Sequence, residues 1–440
     1  MERHSFYYKD SLDLKVLYPR AYSFSLLYPD DNIVIDNGVM YLSRPDSFNP
    51  LRISNIVRVY IHKYDYFKIE INIKCWRDDG PRLKEVTPYK FLALSSFFSN
   101  IRRLKRKLGL WPHRLLLQTC EGVSYYYNKG RLERKRNDGI ELLGKMPPLQ
   151  SPIYNEFIVV GDEAFLRTGH YIYRSVSNMR YWEKIYEGKR AIKDSMIWIK
   201  EDNSLLFLEY TPGLKQSRHH VYKYFLETGE TKTVLTFYTP DEYVTAGFEP
   251  YCRHIHVVSK DPFTNYIYLG VGDSDDESAI YISKDNGNNF LLLGKGSQAW
   301  RTLAFFFTKE NVYWNTDSPD PQYISGIKKS QTNNIPLSRR DLLQFPLFNG
   351  ACWNTFYDYG TNTYMMSSSC EGQLYDNRSR ILSVAFEKGT PIVYNMFTDR
   401  AINNHPGRKF QQLFVIGKDI EGYYWFYDLC RYCYRIFIVE

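Results

Sequence analysis

Short apolar or alternating stretches, each the length of a strand and each cut off by turn residues, dominate the chain from about residue 150 onward. Segment 253–294 shows the layout most clearly. RHIHVVSK is followed by a DPFTN turn, then YIYLGVG, a DSDDES loop, and AIYISKDNGNNFLLLG, which reads as four strands joined by turns. The same order recurs in segments that open at 195, 300, 351 and 409. First strands starting near 195, 253, 301, 351 and 410 give a repeat of about 48 to 59 residues, the length of a four-stranded propeller blade. The pattern therefore predicts an all-β fold, a β-propeller of seven four-stranded blades in one domain spanning 1–440.

The last unit offers only about three strands before Glu440, so an N-terminal strand is expected to complete it and close the ring. The first 150 residues are less regular, with strand-like runs such as AYSFSLLY and RLLLQTCEGVSYYYNKGRLER. Within them, Phe91, Leu94, Phe98, Ile101, Leu104 and Leu108 fall at helical spacing, which predicts a helical insertion over 87–112.

One hairpin carries a recognisable pattern. Ser283-Lys284-Asp285-Asn286-Gly287-Asn288-Asn289-Phe290 follows the strand AIYI and resembles the Asp-box of the sialidase-like (BNR-repeat) β-propellers. Asp285 is suited to capping turn amides, Gly287 to a positive φ, and Phe290 to packing under the blade. A decayed copy, YRSVSNMRYWEKI, keeps Ser175 and Trp182 but has Ser177 and Met179 in place of the Asp and Gly. The resemblance covers the blade layout from about 150 to 440 and is silent on substrate; sialidase-like enzymes draw arginines from several first strands. The resemblance stops short of sialidase activity: the family's Arg-Ile-Pro is echoed only by Ser43-Arg44-Pro45, and no Tyr/Glu pair can be assigned.

In a propeller the starts of first strands and the ends of second strands converge on one mouth of the central channel. The starts supply Arg253, His254, His256, Trp300, Arg301, Trp353 and Asn354. The second-strand ends supply Arg167, His170, Tyr210, Asp273, Asp275, Asp276, Glu277, Trp314, Asp317 and Glu371. The Asp-box turn falls on the opposite face, so Asp285 is structural. His254 and His256 stand two apart on a strand and share a face, as a general base, as metal ligands near Asp273, or as a packed hydrogen-bonded pair. Arg253 and Arg301 suit a sugar carboxylate or sulfate. Asp273 and Asp317 are candidates for a carboxylate pair or proton donor. Trp300, Trp314 and Tyr210 are candidates for sugar stacking, with Arg167, His170 and Glu371 as further substrate contacts.

Composition limits the alternatives. With 44% hydrophobic and 24% charged residues the 440-residue chain can bury a large core, and its 39 Tyr and 27 Phe favour pleated surfaces. A net charge of +8 is concentrated partly in Arg102–Lys107 and Arg131–Arg136. These runs read as a solvated face that draws an acidic glycan toward the mouth, or makes a peripheral membrane contact through 102–107, rather than as a nucleic-acid surface. Seven dispersed cysteines do not read as a disulfide framework, and the lone Cys430-x-x-Cys433 does not read as a zinc site. The N-terminus has no apolar h-region and no run reaches a membrane-spanning length, so a cytoplasmic monomer is expected.

The expected function is carbohydrate-active: an acidic oligo- or polysaccharide held at the channel mouth, its glycosidic bond cleaved or transferred by acid/base chemistry without a cofactor. A divalent metal near His254 and His256, as in a metal-assisted polysaccharide lyase, is one alternative. A non-catalytic scaffold for protein partners is the other.

Overall fold

The computed structural model describes side chains for residues 80–86, 114–150, 155–189, 194–210, 217–317, 323–345, 354–368, 379–399, 413–428 and 434–440; beyond them only the backbone of some strands is described. Seven four-stranded antiparallel sheets follow one another along the chain. Blade 1 runs over Leu115–Cys120, Val123–Asn128, Arg131–Arg136 and Gly139–Lys145, and blade 2 over Asn155–Val160, Glu163–Thr168, Tyr171–Val176 and Tyr181–Glu187. Blade 3 comprises Met196–Ile199, Ser204–Leu208, His219–Phe225 and Thr231–Phe237. Blade 4 comprises Ile255–Lys260, Ile267–Val271, Ala279–Ser283 and Leu291–Lys295. Blade 5 spans Thr302–Phe307, Asn311–Thr316, Tyr323–Lys328 and Leu343–Pro346; blade 6 spans Cys352–Asp358, Thr363–Ser368, Arg378–Glu387 and Thr390–Arg400. Blade 7 uses Leu413–Lys418, Tyr424–Asp428 and Cys433–Val439, and its fourth strand is Leu83–Glu85. The first strand of each blade contacts the first strands of its two neighbours in an unbroken cycle, so the first strands surround the axis. This is a seven-bladed β-propeller.

The ring closes as the sequence suggests. Leu83–Glu85 pairs antiparallel with Cys433–Val439. Arg435 fixes the closure: its Nε and Nη2 donate to Glu85 Oε1 and Oε2 at 2.9 and 2.6 Å, and Nη1 faces Asp399 and Asp428. The ring also reaches further back than the repeat near 150, because blade 1 begins at Leu115. Its fourth strand, Gly139–Lys145, is largely exposed and carries little apolar signal. The helix expected over 87–112 and the basic run 102–107 lie outside the described residues, as do Cys430 and the side chain of Cys433. The other basic run, Arg131–Arg136, is an ordinary blade strand whose charges are matched: Arg134 pairs with Glu141 and Lys135 with Glu421.

Blade packs on blade through aromatic and aliphatic layers, for example Trp300, Trp314, Tyr268, Phe305 and Phe307 between blades 4 and 5. The Asp285 hairpin works as its residue types require. Asp285 Oδ1 accepts from Asn289 N at 2.9 Å, Ser283 Oγ accepts from Gly287 N at 2.8 Å, and Asn286 and Gly287 take φ of 60° and 77°. A fully buried lysine, Lys223 of blade 3, donates to Asn286 O at 2.8 Å and Asn288 Oδ1 at 2.9 Å and pairs with Asp202, tying this turn to the neighbouring blade. In the decayed copy Ser175 Oγ instead accepts from Ala164 N, and the buried Met179 packs in the core at φ 62°.

No helix among the described residues is long and apolar enough to cross a membrane. Glu85→Ala removes two charge-assisted bonds from a buried guanidinium and is expected to lower stability by about 1–3 kcal/mol in a denaturant titration. A loss no larger than that of a surface substitution would show that the closure does not depend on this pair.

Candidate functional site

The site lies where first strands begin and second strands end in blades 4 and 5. His254 immediately precedes the first strand of blade 4, and Asp273 follows its second strand by two residues. Arg301 and Asp317 hold the same places in blade 5, at the start of its first strand and the end of its second. The backbone joins each pair: Gly272 N donates to His254 O at 2.9 Å, and Asp317 N donates to Arg301 O at 3.0 Å.

Asp273 is the centre of the group. His254 Nδ1 lies 2.6 Å from its Oδ2, His256 Nε2 lies 3.3 Å from its Oδ1, and Arg301 Nη2 lies 3.2 Å from the same Oδ1. Arg301 Nη2 also reaches Asp317 Oδ2 at 2.8 Å, so one guanidinium nitrogen bridges the two carboxylates. Burial alone would raise the Asp273 carboxyl, but hydrogen bonds from His254 and His256 and their charge hold it well below the usual carboxylate range. Asp273 is therefore an ionised anchor for two imidazoles rather than a proton donor. His256 is buried and sits in a β-bulge, where the pairing of Ile255 with Val271 and of Val257 with Gly270 leaves it as the extra residue. The bulge turns its ring so that Nδ1 lies 3.2 Å from Thr302 O of blade 5 while Nε2 meets Asp273. His254 lies against the Tyr210 ring, centroids 4.8 Å apart. Among the described residues, His254, His256 and Asp273 are the group of three whose donor atoms could hold a metal ion, all within 4.8 Å of one another.

The rest of the acidic loop supports Asp273. Glu277 is buried, and its carboxylate accepts from Arg253 N at 2.7 Å, Asp273 N at 3.2 Å and Ser274 N at 3.0 Å. Gly272 enters the loop at φ 95°, where a Cβ would stand 2.3 Å from Glu277 O. Asp276 accepts from Ser274 Oγ and from Tyr251 Oη, and Tyr251 stacks on Tyr243 of the helix Pro240–Ala246 at 3.9 Å. That helix, capped reciprocally by Thr239 and Glu242, braces the loop from outside.

Other expected residues fall elsewhere. Trp300 and Trp314 are fully buried and stack on each other at 5.5 Å, so they are core between blades 4 and 5 and present no face to a sugar. Arg167 is buried beneath the rim of blade 2, opposite its cross-strand partner Glu156 and within electrostatic reach of Glu209. His170 faces Gly188 O at 3.1 Å and makes no contact with the Asp273 group among the described residues. The side chain of Glu371 lies outside the described residues. Arg253 is half-exposed beside Glu277 at 3.4 Å. The residues that sequence reasoning missed are Glu209 and His219. Glu209 adjoins Tyr210 and fits the same second-strand rule; its Oε1 accepts from Tyr186 Oη at 2.7 Å. His219 is buried with its ring 6.5 Å from that of His254, and burial lowers its pKa to about 4.

No protein-family model matches the chain, and no curated protein matches its sequence. Solved structures give distant likenesses. An oligogalacturonate lyase in complex with manganese is 10% identical over 74% of this chain and 89% of its own, with a TM-score of 0.44. A GH43 β-1,3-galactosidase with galactodeoxynojirimycin is 11% identical over 59% and 95%, at 0.34. A prolyl endopeptidase is 13% identical over 78% of this chain and 53% of its own, at 0.45. Relatives this distant transfer neither substrate nor residue roles. What defines the class is the chain's own topology, a seven-bladed propeller with a His–Asp–Arg cluster at one end of its inner strands.

Two expectations follow from the supports. Glu277→Ala strips the loop of its acceptor and is expected to cost about 2–4 kcal/mol in thermal or chemical unfolding, against near-neutrality for the exposed Asp275→Ala. Glu156 is pushed up to about 7, chiefly by burial and against the pull of Arg167. A carboxyl raised on folding stabilises the native state fully below its unfolded pKa and loses that contribution as pH rises through 7. Stability should thus fall between about pH 4.5 and 7 through this group, and Glu156→Gln should flatten that slope. An unchanged slope in the variant would refute the assignment.

Proposed function

We propose that the chain is a carbohydrate-active propeller that holds an anionic glycan over the His254–Asp273–Arg301 cluster and cleaves or transfers a glycosidic bond by acid/base chemistry. The observation that carries this reading is the convergence of two imidazoles and a guanidinium on one ionised carboxylate at the end of the inner strands. Imidazole transfers protons near neutral pH, and a carboxylate bonded to one ring nitrogen fixes which nitrogen is free to act. At His254, Nδ1 is taken by Asp273, and Nε2 has no partner among the described residues. The half-exposed guanidinium of Arg253 supplies a second cation for a sugar carboxylate or sulfate. Tyr210, beside His254, offers an aromatic face within reach of a ring bound there.

The test is binding of, and turnover on, a panel of acidic and neutral oligosaccharides. Acidic members are expected to bind. Arg253→Ala should weaken that binding by about 10-fold or more, and His254→Asn should lower turnover by about 100-fold or more. Binding of no acidic member, or results indifferent to both substitutions, would overturn the reading. An unmodified ligand profile with loss only of a protein partner would instead favour a scaffold.

A further inference from the structure

The hydrogen bonding of a neutral His256 cannot be satisfied by the groups around it; two acceptors are met only by an imidazolium or by a ring with an ion on one nitrogen. One ring nitrogen faces Thr302 O at 3.2 Å and the other faces Asp273 Oδ1 at 3.3 Å, and both oxygens are acceptors. A neutral imidazole has one donor nitrogen and one lone pair. If Nδ1–H donates to Thr302 O, the lone pair on Nε2 points at a carboxylate oxygen; in the other tautomer the lone pair on Nδ1 points at a carbonyl. The ring is buried, so water does not relieve the contact.

We propose that this site holds a divalent first-row transition-metal ion, bound by His256 Nε2, Asp273 and a ring nitrogen of His254, with its remaining positions open toward the end of the inner strands. Two nitrogens and one carboxylate oxygen are a ligand set for zinc or ferrous iron rather than calcium or magnesium. Thr302 O plays the supporting part found behind ligating imidazoles, accepting Nδ1–H and so presenting Nε2 as the donor. Accommodation is small. The three donor atoms already lie within 4.8 Å of one another, and the 2.6 Å contact between His254 and Asp273 opens as the ion takes the place of the shared proton. Arg301 Nη2, 3.2 Å from Asp273 Oδ1 and 2.8 Å from Asp317 Oδ2, gives up the longer contact as the ion binds and stays on Asp317. The inference rests on the glycan reading and deepens it: the ion supplies the positive centre that receives the sugar's anionic group, and water on an open position supplies the proton transfer.

The test uses the full chain, stripped of metal by a chelator and dialysed against zinc, manganese, calcium or magnesium chloride. Bound metal is counted by elemental analysis and affinity is measured by calorimetry. One zinc ion per chain is expected, with manganese weaker than zinc and calcium and magnesium at least about 100-fold weaker. Asp273→Asn and His256→Gln should each weaken zinc binding by about 100-fold or more, whereas His170→Gln should not change it. Should His256→Gln fail to fold by circular dichroism, the partly exposed His254→Gln carries the same expectation. A folded wild-type chain that takes up no stoichiometric ion overturns the proposal and leaves His256 as an imidazolium. Acidic glycans that bind the metal-free chain undiminished overturn it too while sparing the glycan reading. An ion that binds without any acidic glycan binding does the reverse.

Discussion

The candidate site depends on one carboxylate. Asp273 receives His254 and His256 from its own blade and Arg301 from the next, so it links two blades at the point where their inner strands begin. Such a hub has to be held ionised and held still. The first condition is met by the three donors around it; the second by Glu277, whose buried oxygens collect the amides of Arg253, Asp273 and Ser274. A loop of five consecutive polar residues, four of them acidic, looks in sequence like solvated surface. In the fold one of its carboxylates anchors the backbone, one organises two side-chain histidines, and one ties the loop to Tyr251 and the adjoining helix.

The same economy is visible elsewhere in the ring. Lys223 is buried in blade 3 and spends its donors on a turn of blade 4, and Arg435 spends its donors on the strand that closes the ring. In each case a buried cation takes acceptors from a distant part of the chain as well as from its own blade, so removing those acceptors costs more than forming the contacts returned. Blade-to-blade apolar layers supply cohesion, and these few charged knots set which blade meets which.

Much of this was legible in the residues. Turn punctuation and short apolar runs located blades 3 to 7 to within a few residues, because those strands are buried on both faces and read as continuous apolar segments. The start-and-end rule found Arg253, His254, His256, Asp273, Arg301 and Asp317, since it follows from topology alone. It failed for Trp300 and Trp314, whose positions obey the rule but whose side chains turn into the core. Direction is set by strand twist and bulging, which no spacing records. Blade 1 was obscured by its exposed outer strand and by the charged run of its third. The helix Pro240–Ala246 carried a legible signature, Thr239-Pro-Asp-Glu242, too short to show any apolar period.

The bulges explain why a histidine stands at 256. Blades 4, 5 and 6 each carry a register shift near the start of the first strand. In blade 6 the shifted segment contains Asn354, whose side chain bonds the inner strand of blade 7 twice, Nδ2 to Val415 O at 2.6 Å and Val415 N to Oδ1 at 3.1 Å. In blade 4 His256 makes the corresponding reach to Thr302 O of blade 5. An amide carries a donor and an acceptor side by side and can end both on one backbone segment. An imidazole carries its two nitrogens on opposite edges of the ring, so a single inter-blade bond leaves the second nitrogen aimed elsewhere. For stapling blades, asparagine is the better residue. Histidine at this place keeps one inter-blade contact and directs its second nitrogen at Asp273, which is how that carboxylate comes to face two imidazoles and a guanidinium.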